Sequence, residues 1–259
     1  MGDPSNNCSS VLAEAEYRVI RVWVTGFGLF RGNQTNPSFS IASALPDSVT
    51  LDDLKIIVQI YRHPEPLRVA YDTVHSITRD GIEQFRENHD GHSPDLVTHI
   101  GMAKGRNFYC AETFARREGY KIADVDEKKA TGYEELFRSK GYPEILRPGD
   151  LPRAGINAGP DSVSQSILNP TNLDDKLLET WKSFAKEGED LRLSIDAGRY
   201  LCEFILYNSL VHAWEEGRKL SVVFMHVPGW DSPEDIQRGT EAAIALIKSL
   251  VTCWATPKS

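Results

Sequence analysis

The chain alternates between short apolar runs and longer amphipathic segments, and this alternation limits the folds open to it. The apolar runs are rich in Val and Ile, which is typical of strands buried on both faces of a sheet. They lie at residues 17–25, 54–61, 95–101, 191–195 and 220–227, with predicted helices at 37–45, 66–89, 197–216 and 233–252. The pattern predicts an α/β fold, a three-layer α/β/α sandwich around a mixed, largely parallel sheet.

The last predicted helix has a well-marked start. Ser232 can cap it, and Pro233 suits the first helical position. Glu234 and Asp235 follow, where the positive end of the helix dipole favours acidic side chains. These residues predict that the helix begins at Pro233.

Residues 121–190 interrupt the alternation with turn-forming sequence such as RPGDLPRAGINAGPDS. Two polar helix-like pieces, 133–140 and 173–187, lie within this stretch, and neither has a long apolar face. A length of 259 residues suits one ordinary domain. We therefore expect a single domain over 17–254 with an insertion at about 121–190, preceded by a disordered tail at 1–16.

Composition and charge narrow the class of protein. Hydrophobic residues make up 41% and charged residues 25%, which is typical of soluble globular proteins. The formal net charge of −8 argues against binding to nucleic acid or to an anionic membrane surface. No apolar run approaches the roughly 20 residues of a membrane span, and no secretory signal is visible. These features predict a cytoplasmic protein with no nucleic-acid or membrane partner, whereas the oligomeric state stays open.

The four cysteines stand far apart, at positions 8, 110, 202 and 253. None of them forms a paired metal-ligand spacing, and a chain without export signals is expected to keep its thiols reduced. No metal is predicted from this pattern.

The first predicted strand runs into a glycine-rich stretch, VWVTGFGLFRGNQTNPS, which invites comparison with dinucleotide-binding loops. Those loops read G-x-G-x-x-G and open directly into a helix. Here the third glycine, Gly32, comes one position later than in that pattern, and bulky side chains occupy positions between the glycines. Phe27 and Phe30 could instead plug the sheet as core residues, or could wall a small apolar pocket at the end of the strand.

Three further segments contain residues able to do chemistry. Cys202 lies near the start of an apolar helix, where the dipole and free N–H groups favour a thiolate, although free cysteines are more often simply buried. His226 lies at the end of an apolar strand, in FMHVP. It could belong to a functional loop at the edge of the sheet, or it could be an ordinary buried histidine of the core. Glu112 lies in NFYCAE and could orient a histidine or form an ordinary ion pair. A cysteine, a histidine and an acid form a known nucleophile pattern, which spacing alone cannot assemble.

Taken together, four blocks resemble the pyroglutamyl peptidase type I family, also called pyrrolidone-carboxylate peptidases. VWVTGFGLFRGNQTNPS resembles the opening V-T-G-F-x-P-F-G-G…N-P-S block, and GMAKGRNFYCAE resembles G-Q-A-G-G-R…E. SIDAGRYLCEFILYNSL is similar to A-G-x-Y-x-C…Y, and FMHVP to the strand that ends in H-x-P. The blocks occur in the family's order and span roughly residues 17–250.

The resemblance implies a cysteine peptidase that removes an amino-terminal pyroglutamyl residue from peptides. Cys202 would be the nucleophile, His226 its base and Glu112 the acid that orients the histidine. Backbone N–H groups near the cysteine would hold the oxyanion, and no metal or cofactor is required. The implied lactam pocket comprises Phe27, Phe30, Asn36, Tyr200 and Leu201.

The chain also departs from the family pattern at the pocket. Gly28-Leu29 replaces a Glu-Pro pair, Arg31 replaces a glycine, and Met102 replaces a glutamine. The loop after His226 reads Val-Pro-Gly-Trp-Asp, unlike common members. Two alternatives therefore accompany the peptidase reading: a related cysteine amidohydrolase with altered acyl specificity, and a non-catalytic binding homologue.

Overall fold

The computed structural model describes residues 16–30, 32–155 and 166–256. Apart from Glu16, the predicted tail at 1–16 lies outside the described residues. The same is true of Cys8, of Arg31 and of residues 156–165 within the predicted insertion.

The strands of the described chain form one large sheet and one small one. The large sheet has seven strands in the order β2-β3-β1-β4-β9-β5-β8, and β6 pairs with β7. In chain order the strands are β1 Arg18–Gly26, β2 Ser48–Leu51, β3 Ile56–Arg62, β4 Leu96–Met102, β5 Tyr109–Glu112, β6 Ala115–Arg116, β7 Ile145–Leu146, β8 Leu191–Ser194 and β9 Val222–Val227.

The large sheet is mixed, with four parallel pairings and two antiparallel ones. Strands β3, β1, β4 and β9 run in parallel, as do β5 and β8. The edge strand β2 is antiparallel to β3, and β5 is antiparallel to β9. The reversal at β5 matters for the site, because it brings residues of β5 beside the end of β9.

Helices cover both faces of this sheet, which confirms the predicted three-layer α/β/α architecture. The α-helices of the described residues are α1 Pro37–Ala44, α2 Tyr71–Glu87, α3 Thr131–Ser139, α4 Asp175–Phe184, α5 Leu201–Glu215 and α6 Pro233–Trp254. A short 3-10 helix spans Asp52–Leu54. Helices α1, α4 and α6 enclose one hydrophobic core with the sheet, and α2, α3 and α5 enclose the other. None of the described helices combines the length and the apolar character needed to cross a bilayer.

Alternation along the strands supplies both cores. Val22 and Val24 of β1 point into the first core, whereas Trp23 between them points into the second. In β9, Val223 and Met225 likewise belong to the first core. Neighbouring side chains of a strand point to opposite faces, so a strand buried on both sides is apolar throughout, as the sequence pattern predicted.

Two predicted helices begin several residues later than expected. Residues 66–70 are extended because Leu67 exchanges backbone hydrogen bonds with the glycine-rich stretch: its N–H donates to Gly26 O at 2.9 Å, and Gly28 N–H donates to its carbonyl at 2.8 Å. The segment before α5 turns at Gly198, whose φ of +74° favours glycine. The first delayed start leaves extended backbone beside the end of β1, where Leu67 bridges to Phe27.

The two helix-like pieces of the predicted insertion both form helices, and each buries aromatic surface. Phe137 of α3 packs in the second core. Trp181 of α4 is fully buried in the first core, and its indole N–H donates to the carbonyl of Ala242 at 3.0 Å. These pieces therefore contribute to the helical layers, although their division into domain and insertion stays a prediction.

Candidate active site

Cys202 is the second residue of α5, at an end of the helix that no side chain caps. The first backbone N–H groups of a helix have no partner within it, so they can bind a negatively charged oxygen. Burial raises the pKa of the Cys202 thiol to about 12, and the nearby Glu112 carboxylate acts in the same direction. The thiol is therefore protonated at neutral pH and needs a base to become a nucleophile.

A glycine on β4 gives the thiol room to approach the sheet. A Cβ added at Gly101 would lie only 3.0 Å from Cys202 Sγ and would overlap the ring of Phe224. Gly101 is paired with His226 across the β4–β9 ladder. The missing side chain therefore lets Cys202 Sγ lie against the strand position next to the predicted base.

His226 is the penultimate residue of β9 and is held by Glu112 of β5. Its Nδ1 lies 2.7 Å from Glu112 Oε1, and both side chains are buried. A carboxylate can only accept this hydrogen bond, so Nδ1 carries the proton and Nε2 is left to accept another. The neighbouring strand thus sets the tautomer that a general base requires.

Arg106 completes this arrangement, and sequence reasoning missed it. Its guanidinium donates to Glu112 Oε1 at 2.7 Å and to the backbone carbonyl of Asp196 at 2.5 Å. Burial alone would raise the pKa of Glu112, but hydrogen bonds from His226 and Arg106 outweigh it and hold the pKa below its ordinary value. Glu112 therefore stays charged. Arg106 lies in the GMAKGRNFYCAE block, six positions before Glu112. It stands where the family block G-Q-A-G-G-R…E has its arginine, and that match could have identified it.

Cys110, Glu112 and His226 form a group of three side chains that could in principle bind a metal ion. The Cys110 thiol, a Glu112 oxygen and a His226 ring nitrogen lie within 4.8 Å of one another. Arg106 Nη1 donates to Cys110 Sγ at 2.6 Å as well as to the carboxylate. A guanidinium cation thus already contacts two of the three atoms that could hold a metal.

Cys202 and His226 line one cavity of about 290 Å³, a volume at the small end of the usual range of ligand pockets. All five residues predicted for substrate binding line the same cavity. They come from two separate parts of the chain, and they are Phe27, Phe30, Asn36, Tyr200 and Leu201. Glu112 is not part of the wall and lies behind His226.

The loop that carries the two phenylalanines is fixed by its own polar residue. Asn36 Nδ2 donates to the carbonyl of Gly28 at 2.6 Å, and its Oδ1 accepts from Ser38 N–H at 3.1 Å. The second bond caps α1, so the amide group joins the loop to the start of a helix. Phe30 packs against Tyr200, with ring centroids 6.5 Å apart and the rings tilted by 51°.

Several wall residues were not predicted, and most of them are apolar. The structure adds Val69, Ala103, Arg106, Asp196, Ala197 and Gly198 to the lining, and it also places Met102 there, at a position that the resemblance had put near the pocket. Met102 is 7% exposed and fills the position where the family pattern has a glutamine. Val69 lies in the extended segment that was predicted as helix, so no sequence signal pointed to it.

Comparison with curated sequences finds several relatives of this chain. Curated relatives include a pyrrolidone-carboxylate peptidase from Pyrococcus furiosus, 25% identical over 210 residues that cover 81% of each chain. They also include pyroglutamyl-peptidase 1 from Mus musculus, 28% identical over 232 residues that cover 89% of each chain. No family model matches the chain.

Among solved structures, a pyrrolidone carboxyl peptidase of Pyrococcus furiosus superposes with a TM-score of 0.63 at 22% identity. The match covers 90% of this chain and 99% of that one. The likeness confirms the fold class, an α/β/α sandwich around a mixed sheet. The curated relatives confirm the predicted resemblance to the pyroglutamyl peptidase type I family.

Proposed function

We propose that this chain is a cysteine peptidase that removes an amino-terminal pyroglutamyl residue from peptides. The observation that carries the proposal is the position of Cys202 and His226 on one small apolar cavity, with Glu112 bonded to the histidine. The names of the curated relatives supply the substrate, a peptide whose amino terminus is closed into a lactam.

The acyl group suits the cavity because the pyroglutamyl ring is flat and uncharged. Phe27 and Phe30 lie on the wall formed by the glycine-rich stretch, and Tyr200 and Leu201 lie beside the nucleophile. A free amino terminus would bring a charged ammonium into this apolar space and would pay a large desolvation cost. The wall therefore favours a neutral, cyclised terminus.

The chemistry follows from the hydrogen-bond pattern. As Cys202 Sγ attacks the pyroglutamyl carbonyl, its proton passes to His226 Nε2, and Glu112 stabilises the resulting imidazolium. The carbonyl oxygen becomes an oxyanion, which the free N–H groups at the start of α5 can bind. When the C–N bond breaks, His226 returns the proton to the leaving amine.

A water molecule completes the cycle. His226 takes a proton from the water as its oxygen attacks the thioester, the C–S bond breaks, and the sulfur regains a proton. Pyroglutamate and the shortened peptide are the products. Every proton transfer in these reaction steps passes through His226.

The direct test is hydrolysis of pyroglutamyl-aminomethylcoumarin under reducing conditions, with Cys202→Ala beside the wild type. Cys253→Ala is the matched control, because that partly exposed thiol lies on α6, away from the cavity lining. We expect release of the dye by the wild type and the control, and no release by Cys202→Ala. Equal activity in Cys202→Ala would rule out the proposed nucleophile.

Met102 favours a second candidate, a cysteine amidohydrolase with a different acyl preference. A thioether replaces an amide at the cavity wall, so a polar contact to the acyl group is lost. Comparing pyroglutamyl, prolyl and glutaminyl amides distinguishes the two. A non-catalytic homologue would release dye from none of them.

We also propose that the protein works in the cytoplasm. The mechanism needs a reduced Cys202, and the three described cysteines are all free thiols. Fractionation of cells that produce a tagged chain checks this assignment.

A further inference from the structure

Asp196 lies at the mouth of the cavity, on the turn that leads into α5. It is part of the cavity lining and is also solvent-exposed. Its backbone is fixed, because its carbonyl accepts from Arg106 and its N–H donates to Ser194 Oγ at 3.1 Å. A carboxylate is therefore held at a defined place where the cavity meets solvent.

The charge of this carboxylate is not balanced by the cations around it. Asp196 Oδ1 accepts one hydrogen bond, from Gly198 N–H at 3.1 Å, and no ion pair joins it to another described residue. Arg106, the lining residue with a positive charge, is paired with Glu112. Arg199 donates to the carbonyl of Glu118 at 2.5 Å and contacts Glu203.

The path of a bound peptide leads past this carboxylate. If the pyroglutamyl ring lies between the aromatic walls and its carbonyl carbon meets Cys202 Sγ, the rest of the peptide must leave through the open side. Asp196 and Gly198 are the exposed residues among those that line the cavity, and both precede Cys202 by a few positions on the turn into α5. The residue after the scissile bond is thus the one whose side chain comes near the charge.

We propose that Asp196 is a specificity-determining residue that favours peptides with a positively charged residue directly after the pyroglutamyl group. The inference rests on the proposed function, since it assigns the leaving side of the same reaction. An exposed pair of opposite charges changes an equilibrium by at most about fivefold. We therefore expect a preference of that order rather than an absolute requirement.

Three peptides that differ only at the second residue test the proposal: pyroglutamyl-Lys-Ala-amide, pyroglutamyl-Gln-Ala-amide and pyroglutamyl-Glu-Ala-amide. For each protein, kcat/KM for the Lys and Glu peptides is divided by the value for the Gln peptide, which cancels any general loss of activity. In the wild type we expect the order Lys, Gln, Glu, with the Lys-to-Glu ratio between about three and ten.

Asp196→Asn should bring the ratios close to one, and Asp196→Lys should reverse the order. Asp53→Asn is the matched control, because it removes one exposed charge far from the cavity and should keep the wild-type ratios. The wild-type preference should also shrink between about 0.02 M and about 1 M salt, which needs no variant to fold.

The possible outcomes distinguish a failure of the proposed function from a failure of the role assigned to Asp196. Cleavage of none of the peptides by the wild type would overturn the proposed function together with this one. Cleavage of all three at equal rates at low salt, or ratios that Asp196→Asn leaves unchanged, would overturn the role of Asp196 while the proposed function stands.

Discussion

His226 Nδ1 lies 2.7 Å from Glu112 Oε1, although 114 positions separate the two residues in the chain. The contact exists because β5 runs antiparallel to β9, with Cys110 directly opposite His226. Glu112, two residues further along β5, points to the same face and reaches the histidine diagonally. One strand reversal therefore gives the histidine its acid.

Replacing this acid with its amide tests the contact. In Glu112→Gln the amide can donate to Nδ1, which favours the tautomer that lacks a free base at Nε2. We expect kcat for a pyroglutamyl substrate to fall by about 10²- to 10⁴-fold, with little change in KM. The control Glu87→Gln removes an exposed carboxylate at the end of α2 and should behave as wild type. A fall of less than about twofold would contradict the assigned role of the acid.

Gly101 should tolerate no side chain. In Gly101→Ala the new methyl group meets Cys202 Sγ at 3.0 Å and the Phe224 ring, so either the nucleophile or the core must move. We expect a loss of about 1–3 kcal/mol in the free energy of unfolding and a strong loss of kcat. Gly105→Ala is the matched control, because nothing lies within 4 Å of its added Cβ. Denaturant unfolding and dye release measure the two effects, and wild-type values for both in Gly101→Ala would contradict the close approach.

Alkylation should distinguish the thiols. Cys202 lines the cavity, whereas Cys110 is fully buried, so iodoacetamide should label Cys202 before Cys110. Because burial raises the pKa of the Cys202 thiol to about 12, its thiolate fraction and its labelling rate should still be rising with pH above 9. Peptide mass spectrometry after timed labelling measures both. Labelling of Cys202 that reaches its plateau below pH 8 would show instead a thiolate already formed in the free enzyme.

His99 should make the fold sensitive to acid. It is fully buried on β4 between Thr25 Oγ1 and Ser209 Oγ, each 2.8 Å from a ring nitrogen. Burial lowers the pKa of His99 to about 3, from an ordinary value of 6.5. Between these values the unfolded chain binds a proton that the folded chain does not, so the free energy of unfolding falls as the pH drops below 6.5.

From this residue alone we expect a loss of about 2 kcal/mol between pH 6.5 and pH 5. His99→Gln should remove that part of the slope even if its stability at neutral pH is lower. His92→Gln, at an exposed histidine, should keep the slope of the wild type. Urea unfolding at several pH values provides the comparison, and equal slopes in all three proteins would refute the prediction.

Local patterns in the sequence were enough to predict most strands of the large sheet and the start of the last helix. Apolar runs predicted five of the seven strands of the large sheet, because burial on both faces requires apolar residues throughout. The start of α6 at Pro233 was confirmed, with Ser232 accepting from Asp235 N–H, since capping depends on neighbouring residues alone. The resemblance then singled out Cys202, His226 and Glu112, together with five wall residues that the structure places around one cavity.

Tertiary structure alone decided how these parts meet. The edge strand β2 was missed because its sequence, SVTL, is short and half exposed. Gly101 makes room for Cys202, and Arg106 reaches the carbonyl of Asp196, only because of the packing of α5 on the sheet and the order of its strands. Asp196 reaches the cavity mouth for the same reason. Such contacts join residues far apart in the chain, and local propensity carries no information about which strand will pair with which.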